Sequence, residues 1–327
     1  MKSFNTLKAL FSGLLIACSL TASAQSLEAF KFIALGDVPY SIPEDYVRYE
    51  RLIAVINKSN PSFSLFIGDT KSGSTPCSDE YNQKVKGYFN QFTSPLIYSI
   101  GDNEWTDCHR PLAGSYDPLE RLDNLRSTFF NTQKSFGKQQ ISLIRQADTD
   151  PKYKKFVENA YWVKNHFLFV SLHIPGSNNN FERNDQAKAE YFERNQANLD
   201  WIQRAFDLAS TKGYLGIVFC YQADMFYTPT QATNADSGYR DTLHAFSKNA
   251  QEFKKPVLLI HGDSHRLILD QPLKTVDQKN ILENVLRLEL MGAEQVQAVM
   301  IGINPKSEQP FSFTPILLRQ NMGTPKP

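Results

Sequence analysis

Four short apolar runs in this chain stop at the same dipeptide. They are FKFIALGD at 30–37, SFSLFIGD at 62–69, PLIYSIGD at 95–102 and PVLLIHGD at 256–263. One Gly-Asp is an ordinary strand end, because both residues favour turns. The recurrence says more. Asp37 and Asp69 are 32 positions apart, and Asp69 and Asp102 are 33 apart. That is the length of a strand–helix–strand unit. In the first interval Tyr46, Tyr49, Leu52, Ile53 and Ile56 recur at helical spacing. In the second, residues 78–92 read as a helix. Parallel strands joined by helices point the same way and share a carboxyl edge, where open α/β sheets bind ligands. The expectation is four aspartates gathered along one sheet edge.

The rest of the chain extends this α/β pattern. Residues 107–158 are polar and less regular, with a helix in SYDPLERLDNLRSTFF. YWVKNHFLFVSLH reads as a hairpin turning at Lys164–Asn165, and SNNNFERND as a polar loop. The longest helical pattern, QAKAEYFERNQANLDWIQRAFDLAS, has a core face of Leu199, Ile202, Phe206 and Leu208 and closes at Gly213. Strands YLGIVFC and PVLLIHGD follow. RLILD, VLRLELM, AVMIGI and SFTPILL add a run of short strands. With no repeat, low-complexity tract or linker, the expectation is one domain over residues 28–320 built on two sheets.

Composition excludes some partners. The formal net charge is +1 and no long Lys/Arg run occurs, so no nucleic-acid polymer is expected. No internal run reaches the roughly 18 apolar residues of a membrane helix. The N-terminus carries Lys2 and Lys8, a short apolar core and an Ala22-x-Ala24 pattern. This predicts a secretory signal over 1–24, cleaved before Gln25. LIAC also fits a lipobox, with Cys18 as the acylated residue. Either route exports the chain to a periplasmic or extracellular setting. In an oxidising compartment Cys77 and Cys108, a few residues past Asp69 and Asp102, are expected to form a disulfide across two neighbouring loops. Cys220 is expected as a buried free thiol on a strand.

Carboxylates crowded at a strand edge repel one another unless a divalent cation compensates them. Two cations about 3.5–4 Å apart can clamp a phosphoryl group. The order of motifs resembles the calcineurin-like metallophosphoesterases, which include the purple acid phosphatases. Their pattern is D-x-H, G-D, G-N-H-[DE], a later strand-end His, then G-H-x-H. This chain has GDVPY at 36–40, GDTKS at 68–72, GDNEW at 101–105, FCYQAD at 219–224 and HGDSH at 261–265.

The resemblance implies a four-layer α/β/β/α sandwich of two mixed sheets flanked by helices. It implies hydrolysis of a small-molecule or nucleotide phosphomonoester or phosphodiester by metal-activated hydroxide. Asp37 and His265 would hold a first metal, Asp69 would bridge, and Asp102, Gln222 and Asp263 would hold a second. One or two ions of Mn, Mg, Ca, Fe or Zn are implied. Asn103 and Glu104 are the candidate catalytic pair, Asn103 donating to an oxyanion and Glu104 orienting ligands. The chain departs from the pattern in having Pro39, Asn103 and Asp263 where the family has histidine, and Gln222 near a fourth. Tyr40 resembles the phenolate ligand of purple acid phosphatases, though that ligand belongs to their second motif. His173 is read as a replacement imidazole or a satisfied strand-end histidine, and His261 as a ligand or a core residue. His109 and Arg110 are read as phosphate contacts or solvated loop. Two other readings stay open: a non-catalytic relative binding a phosphate-containing ligand or partner, and a surface structural protein rigidified by Ca²⁺.

Overall fold

The three N-terminal Gly-Asp runs are adjacent strands of one sheet in the computed structural model, which describes Met1, residues 27–227 and residues 237–322. The leader residues Lys2, Lys8, Cys18, Ala22, Ala24 and Gln25 lie outside the described residues. Strands β1 (Phe30–Leu35), β2 (Ser64–Ile67) and β3 (Leu96–Ser99) run parallel, pairing Ile33 with Ser64 and Ser64 with Leu96. Helices α1 (Glu44–Ser59) and α2 (Asp79–Phe89) make the crossovers. Helix α1 buries Tyr49, Leu52, Ile53 and Ile56, the expected stripe, while Tyr46 stays half-buried. Helix α2 starts where the Ser78 hydroxyl accepts the Tyr81 N–H at 3.1 Å, satisfying one of the free amides of its first turn.

The middle of the chain holds α3 (Pro118–Phe129), β4 (Ile144–Arg145) and α4 (Gln146–Thr149). Strands β5 (Ala160–Lys164) and β6 (Phe167–Ser171) form the expected hairpin. Its turn sits at Asn165–His166, one residue later than expected, both with left-handed φ of 45° and 63°. Two such residues in succession suit the right-handed twist of a tight hairpin. The SNNNFERND segment is not a featureless loop. It contributes to α5 (Gly176–Asn179), in which Ser177 and Asn178 have left-handed φ and ψ. Helix α6 (Asp185–Thr211) is the long one. It buries Trp201, Ile202, Ala205 and Phe206, and leaves Leu199 and Leu208 half-buried.

The remaining elements are β7 (Gly216–Cys220), α7 (Arg240–Phe253), β8 (Val257–His261), β9 (Ile268–Asp270), β10 (Val285–Glu289), β11 (Ala298–Ile303) and β12 (Phe311–Ile316). They complete two mixed sheets, ordered β12-β11-β1-β2-β3 and β4-β5-β6-β7-β8-β10-β9. The sheets bury a shared core of Phe32, Leu65, Phe169, Val218, Leu258 and Ile301, among others. Helices α1, α2 and α3 cover the outer face of the first sheet, and α6 and α7 that of the second. This is the four-layer α/β/β/α sandwich. One expectation is corrected. The fourth Gly-Asp run is β8, in the second sheet, so the aspartates converge from two facing sheets rather than along one edge.

Candidate metal centre

The Gly-Asp repeat has a steric cause. A Cβ at Gly101 would collide with the Asp69 carboxylate, and one at Gly262 with that of Asp37. Gly101 thus makes room for the aspartate of the neighbouring strand, and Gly262 for an aspartate from the facing sheet. Asp37, Asp69 and Asp263 then leave their strands with left-handed φ of 55°, 53° and 79°. Aspartate tolerates that region better than most side chains. His265 adopts it too, at 60°.

Two groups of ligand atoms result. One atom from each of Asp37, Asp69 and His265 lies within 4.8 Å of the others, and the same holds for Asp69, Asp102 and Asp263. Asp69 belongs to both. The groups are tied directly, since the Asp263 N–H donates to Asp37 Oδ1 at 3.1 Å. Tyr40 joins the first group: its hydroxyl donates to Asp69 Oδ2 at 2.6 Å and lies 3.2 Å from His265 Nε2. Burial, and then the neighbouring carboxylates, push Asp69 and Asp263 well above the usual carboxylate range. Burial also raises Asp37, against the opposing pull of His265. Asp37 Oδ2 and Asp102 Oδ1 are buried with no hydrogen-bond partner. Buried, ionisable oxygens without donors cost free energy that a cation recovers. An oxygen-rich set with one imidazole suits Mg²⁺, Mn²⁺, Fe or Zn²⁺.

The other expected residues fall into several positions. Asn103 Nδ2 donates to Asp69 Oδ2 at 2.7 Å and to the Tyr40 oxygen at 2.9 Å. Glu104 is buried and accepts the backbone N–H groups of Asp69 at 3.2 Å, Gly101 at 3.0 Å and Thr70. It therefore shapes the turns that carry Asp69 and Asp102. Gln222 Oε1 accepts the Gly176 N–H, and its Nε2 is buried with no hydrogen-bond partner. His173 stands outside both groups. Its Nδ1 meets Glu158 Oε1 at 2.9 Å, and burial lowers its pKa to about 4, so it is a neutral core residue. His261 belongs to a different group, with Asp224 and Glu289. Exposed His109 meets the Thr106 carbonyl through Nδ1 at 2.7 Å, and half-exposed Arg110 pairs with Asp107 at 2.7 Å. Cys77 and Cys108 are disulfide-bonded, with Cα atoms 5.8 Å apart. Cys220 is free and buried.

Three nearby residues were not anticipated. The Ser177 hydroxyl lies 2.7 Å from Asp102 Oδ2 and 2.8 Å from Asp107 Oδ1. Asp107 is pushed up to about 6 by burial and then by Asp102. Lys71 is buried beside these acids; burial lowers its pKa while Glu104 and Asp69 oppose that shift. The Lys in GDTKS was the available signal. Ser177 had none, since its approach depends on the left-handed turn of α5.

No protein-family model matches the chain, and no curated protein matches it in sequence. Solved structures do match. PhoD superposes with a TM-score of 0.52 at 10% identity, covering 90% of this chain and 73% of that one. A dimetal phosphatase from Danio rerio gives 0.50 at 12% identity, covering 88% of this chain and 99% of that one. Purple acid phosphatase PPD1 from yellow lupin seeds gives 0.47 at 10% identity, covering 90% and 55%. Identity this low speaks to the fold. The chain has the calcineurin-like metallophosphoesterase fold.

Proposed function

We propose that this chain is an exported, metal-dependent phosphoesterase whose domain spans residues 28–320, acting on small-molecule or nucleotide phosphate esters. The observation that carries the reading is the sharing of Asp69 between two ligand groups, each with a buried oxygen that has no partner. Asp37, Asp69, His265 and Tyr40 would hold one dication, and Asp69, Asp102, Gln222 and Asp263 a second. Bound there, such ions supply Lewis acidity, neutralising phosphoryl oxygens and easing the ionisation of water.

The chain's own residues do the rest. Glu104 fixes the turns after β2 and β3, so that Asp69 and Asp102 are held before substrate arrives. Asn103 holds Asp69 and the Tyr40 oxygen through Nδ2 and, as an amide, cannot deliver a proton. Arg110 and His109 stand exposed as phosphate contacts, with Arg110 kept near by Asp107. The Cys77–Cys108 disulfide supports export, because such bonds persist in oxidising compartments. Among the described residues no helix is long and apolar enough to cross a membrane. Release after 1–24 and acylation at Cys18 both remain compatible with that.

The test is direct. The mature protein is dialysed against chelator and reloaded with Mn²⁺, Mg²⁺ or Zn²⁺, then assayed on a chromogenic phosphomonoester and phosphodiester. Metal-dependent turnover is expected. A folded protein that binds metal and turns over neither ester would instead favour a phosphate-binding relative. One observation points that way: the Asn103 side-chain donors are already engaged by Asp69 and Tyr40.

A further inference from the structure

Beside the Asp69 centre lies a second cluster that shares none of its ligands. Strands β7, β8 and β10 are parallel neighbours. His261 ends β8, Glu289 ends β10 opposite it, and Asp224 follows β7. One ligand atom from each lies within 4.8 Å of the others. His261 and Glu289 are 0% exposed and Asp224 is 3% exposed.

The histidine is set up as a ligand. Its Nδ1 lies 3.0 Å from the Gly262 carbonyl oxygen, which only accepts. Nδ1 therefore carries the proton and Nε2 the lone pair. That Nε2 is buried and has no partner, and neither has Glu289 Oε2 a hydrogen bond. An imidazole held by a backbone carbonyl through its other nitrogen is the usual arrangement at metal sites.

The nearby arginines do not fill the role. The Arg287 fork is engaged by Asp270, with Nε at 2.7 Å from Oδ1. Its Nη1 stays 3.7 Å from Asp224 Oδ1 and 3.8 Å from Glu289 Oε2, too far for hydrogen bonds. Arg266, with a side chain 52% exposed, approaches Asp224 Oδ2 at 3.4 Å and Glu289 Oε1 at 3.5 Å, and its backbone N–H donates to Glu289 Oε1 at 3.3 Å, leaving Oε2 without a hydrogen bond. The Arg266 guanidinium is the group an entering ion displaces. Three carboxylates, Asp224, Glu289 and Asp270, thus face two guanidinium groups.

We propose that Asp224, His261 and Glu289 bind a further dication, of the Zn²⁺ class, separate from the Asp69 centre. One imidazole nitrogen with two carboxylates is a Zn²⁺-type donor set. The ion's role is structural. Asp224 N–H donates to Asp263 Oδ2 at 3.0 Å, and the Ser264 hydroxyl donates to Asp224 Oδ2 at 2.7 Å. Fixing Asp224 fixes the turn that carries Asp263 and His265.

The proposal stands apart from the phosphoesterase reading, and its test separates the two. Crystals of the full chain grown with stoichiometric Zn²⁺ are measured at the zinc edge, and an anomalous peak is expected among Asp224, His261 and Glu289. Chelated and Zn²⁺-reloaded protein is then weighed by native mass spectrometry. Glu289→Gln is expected to lose one equivalent, while Asp69→Asn keeps that equivalent. No peak at this cluster, or an unchanged Zn²⁺ count in folded Glu289→Gln, overturns the proposal. The wild-type crystal decides if the variant does not fold.

Discussion

Asp69 accepts from the Tyr40 hydroxyl, from Asn103 Nδ2 and, at 3.2 Å, from the Asn103 N–H, while its backbone N–H is held by Glu104. A carboxylate so placed can face two cations without moving. Asp69→Asn keeps the size but removes the charge that both groups share. We expect its kcat/KM to fall by more than about 10²-fold, beyond the range typical for residues that merely support a metal ligand. Bound metal, counted by elemental analysis, should drop with it. Metal content and turnover both unchanged would remove Asp69 from the centre. Glu104 makes a different prediction, because it accepts from backbone amides. Glu104→Gln places an amide group against N–H donors that need acceptors. It should cost about 1–3 kcal/mol, the penalty of leaving buried donors unsatisfied. Urea denaturation of the metal-free protein reads this without involving any ion.

At the scale of elements, the strands and helices before Asp102 were legible because each apolar run is short, bounded by turn residues and separated by a clear helical stripe. Helix α7 was not anticipated, although Leu243, Phe246 and Ala250 recur at helical spacing on its buried face, alongside Thr242, Ser247 and Asn249. Sheet membership of β8 was also hidden, since periodicity does not reveal which sheet a strand enters. The Cys77–Cys108 link was legible from loop placement, and it has a mechanical consequence. The Cys108 loop also carries Asp107 and Arg110, and the Tyr116 N–H donates to the Cys108 carbonyl at 2.8 Å. The bond closes a loop of 31 residues. Restricting a loop of that length in the unfolded chain contributes about 3–4 kcal/mol in the chain-entropy account. Cys77→Ser with Cys108→Ser should lose about 2–4 kcal/mol by chemical denaturation. Stability equal to that of the oxidised parent would show that packing alone fixes these loops.

Across the whole molecule, the order of Gly-Asp motifs was readable but the contacts between them were not. Tyr40 meets Asp69 from 29 residues away and His265 from 225 residues away, distances over which no local pattern operates. Asp224 ends the FCYQAD run without being singled out there, and Glu289 carries no motif; only the adjacency of β7, β8 and β10 joins them to His261. What the assembled molecule adds is a charge imbalance that depends on pH. Burial raises Asp37, Asp69 and Asp263, and Asp107 to about 6, relative to unfolded carboxylates near 4. For a carboxylate with a raised folded pKa, the native state binds more protons than the unfolded state. Its stabilising contribution is full below the unfolded pKa and is lost as pH rises through the folded one. Metal-free protein should therefore lose this contribution from about pH 4 upward, through pH 6 and beyond. Dications need these same groups ionised, so their binding releases protons and strengthens with pH. His173, held neutral with a pKa of about 4, has the opposite pH dependence, but it lies outside the centre and contributes equally with and without metal. The difference in melting temperature between Mn²⁺-loaded and chelator-treated protein should thus be small at pH 5 and grow steadily to pH 8. Calorimetry across that range measures it, and a difference that stays flat or shrinks would mean that the clustered aspartates do not hold the ion.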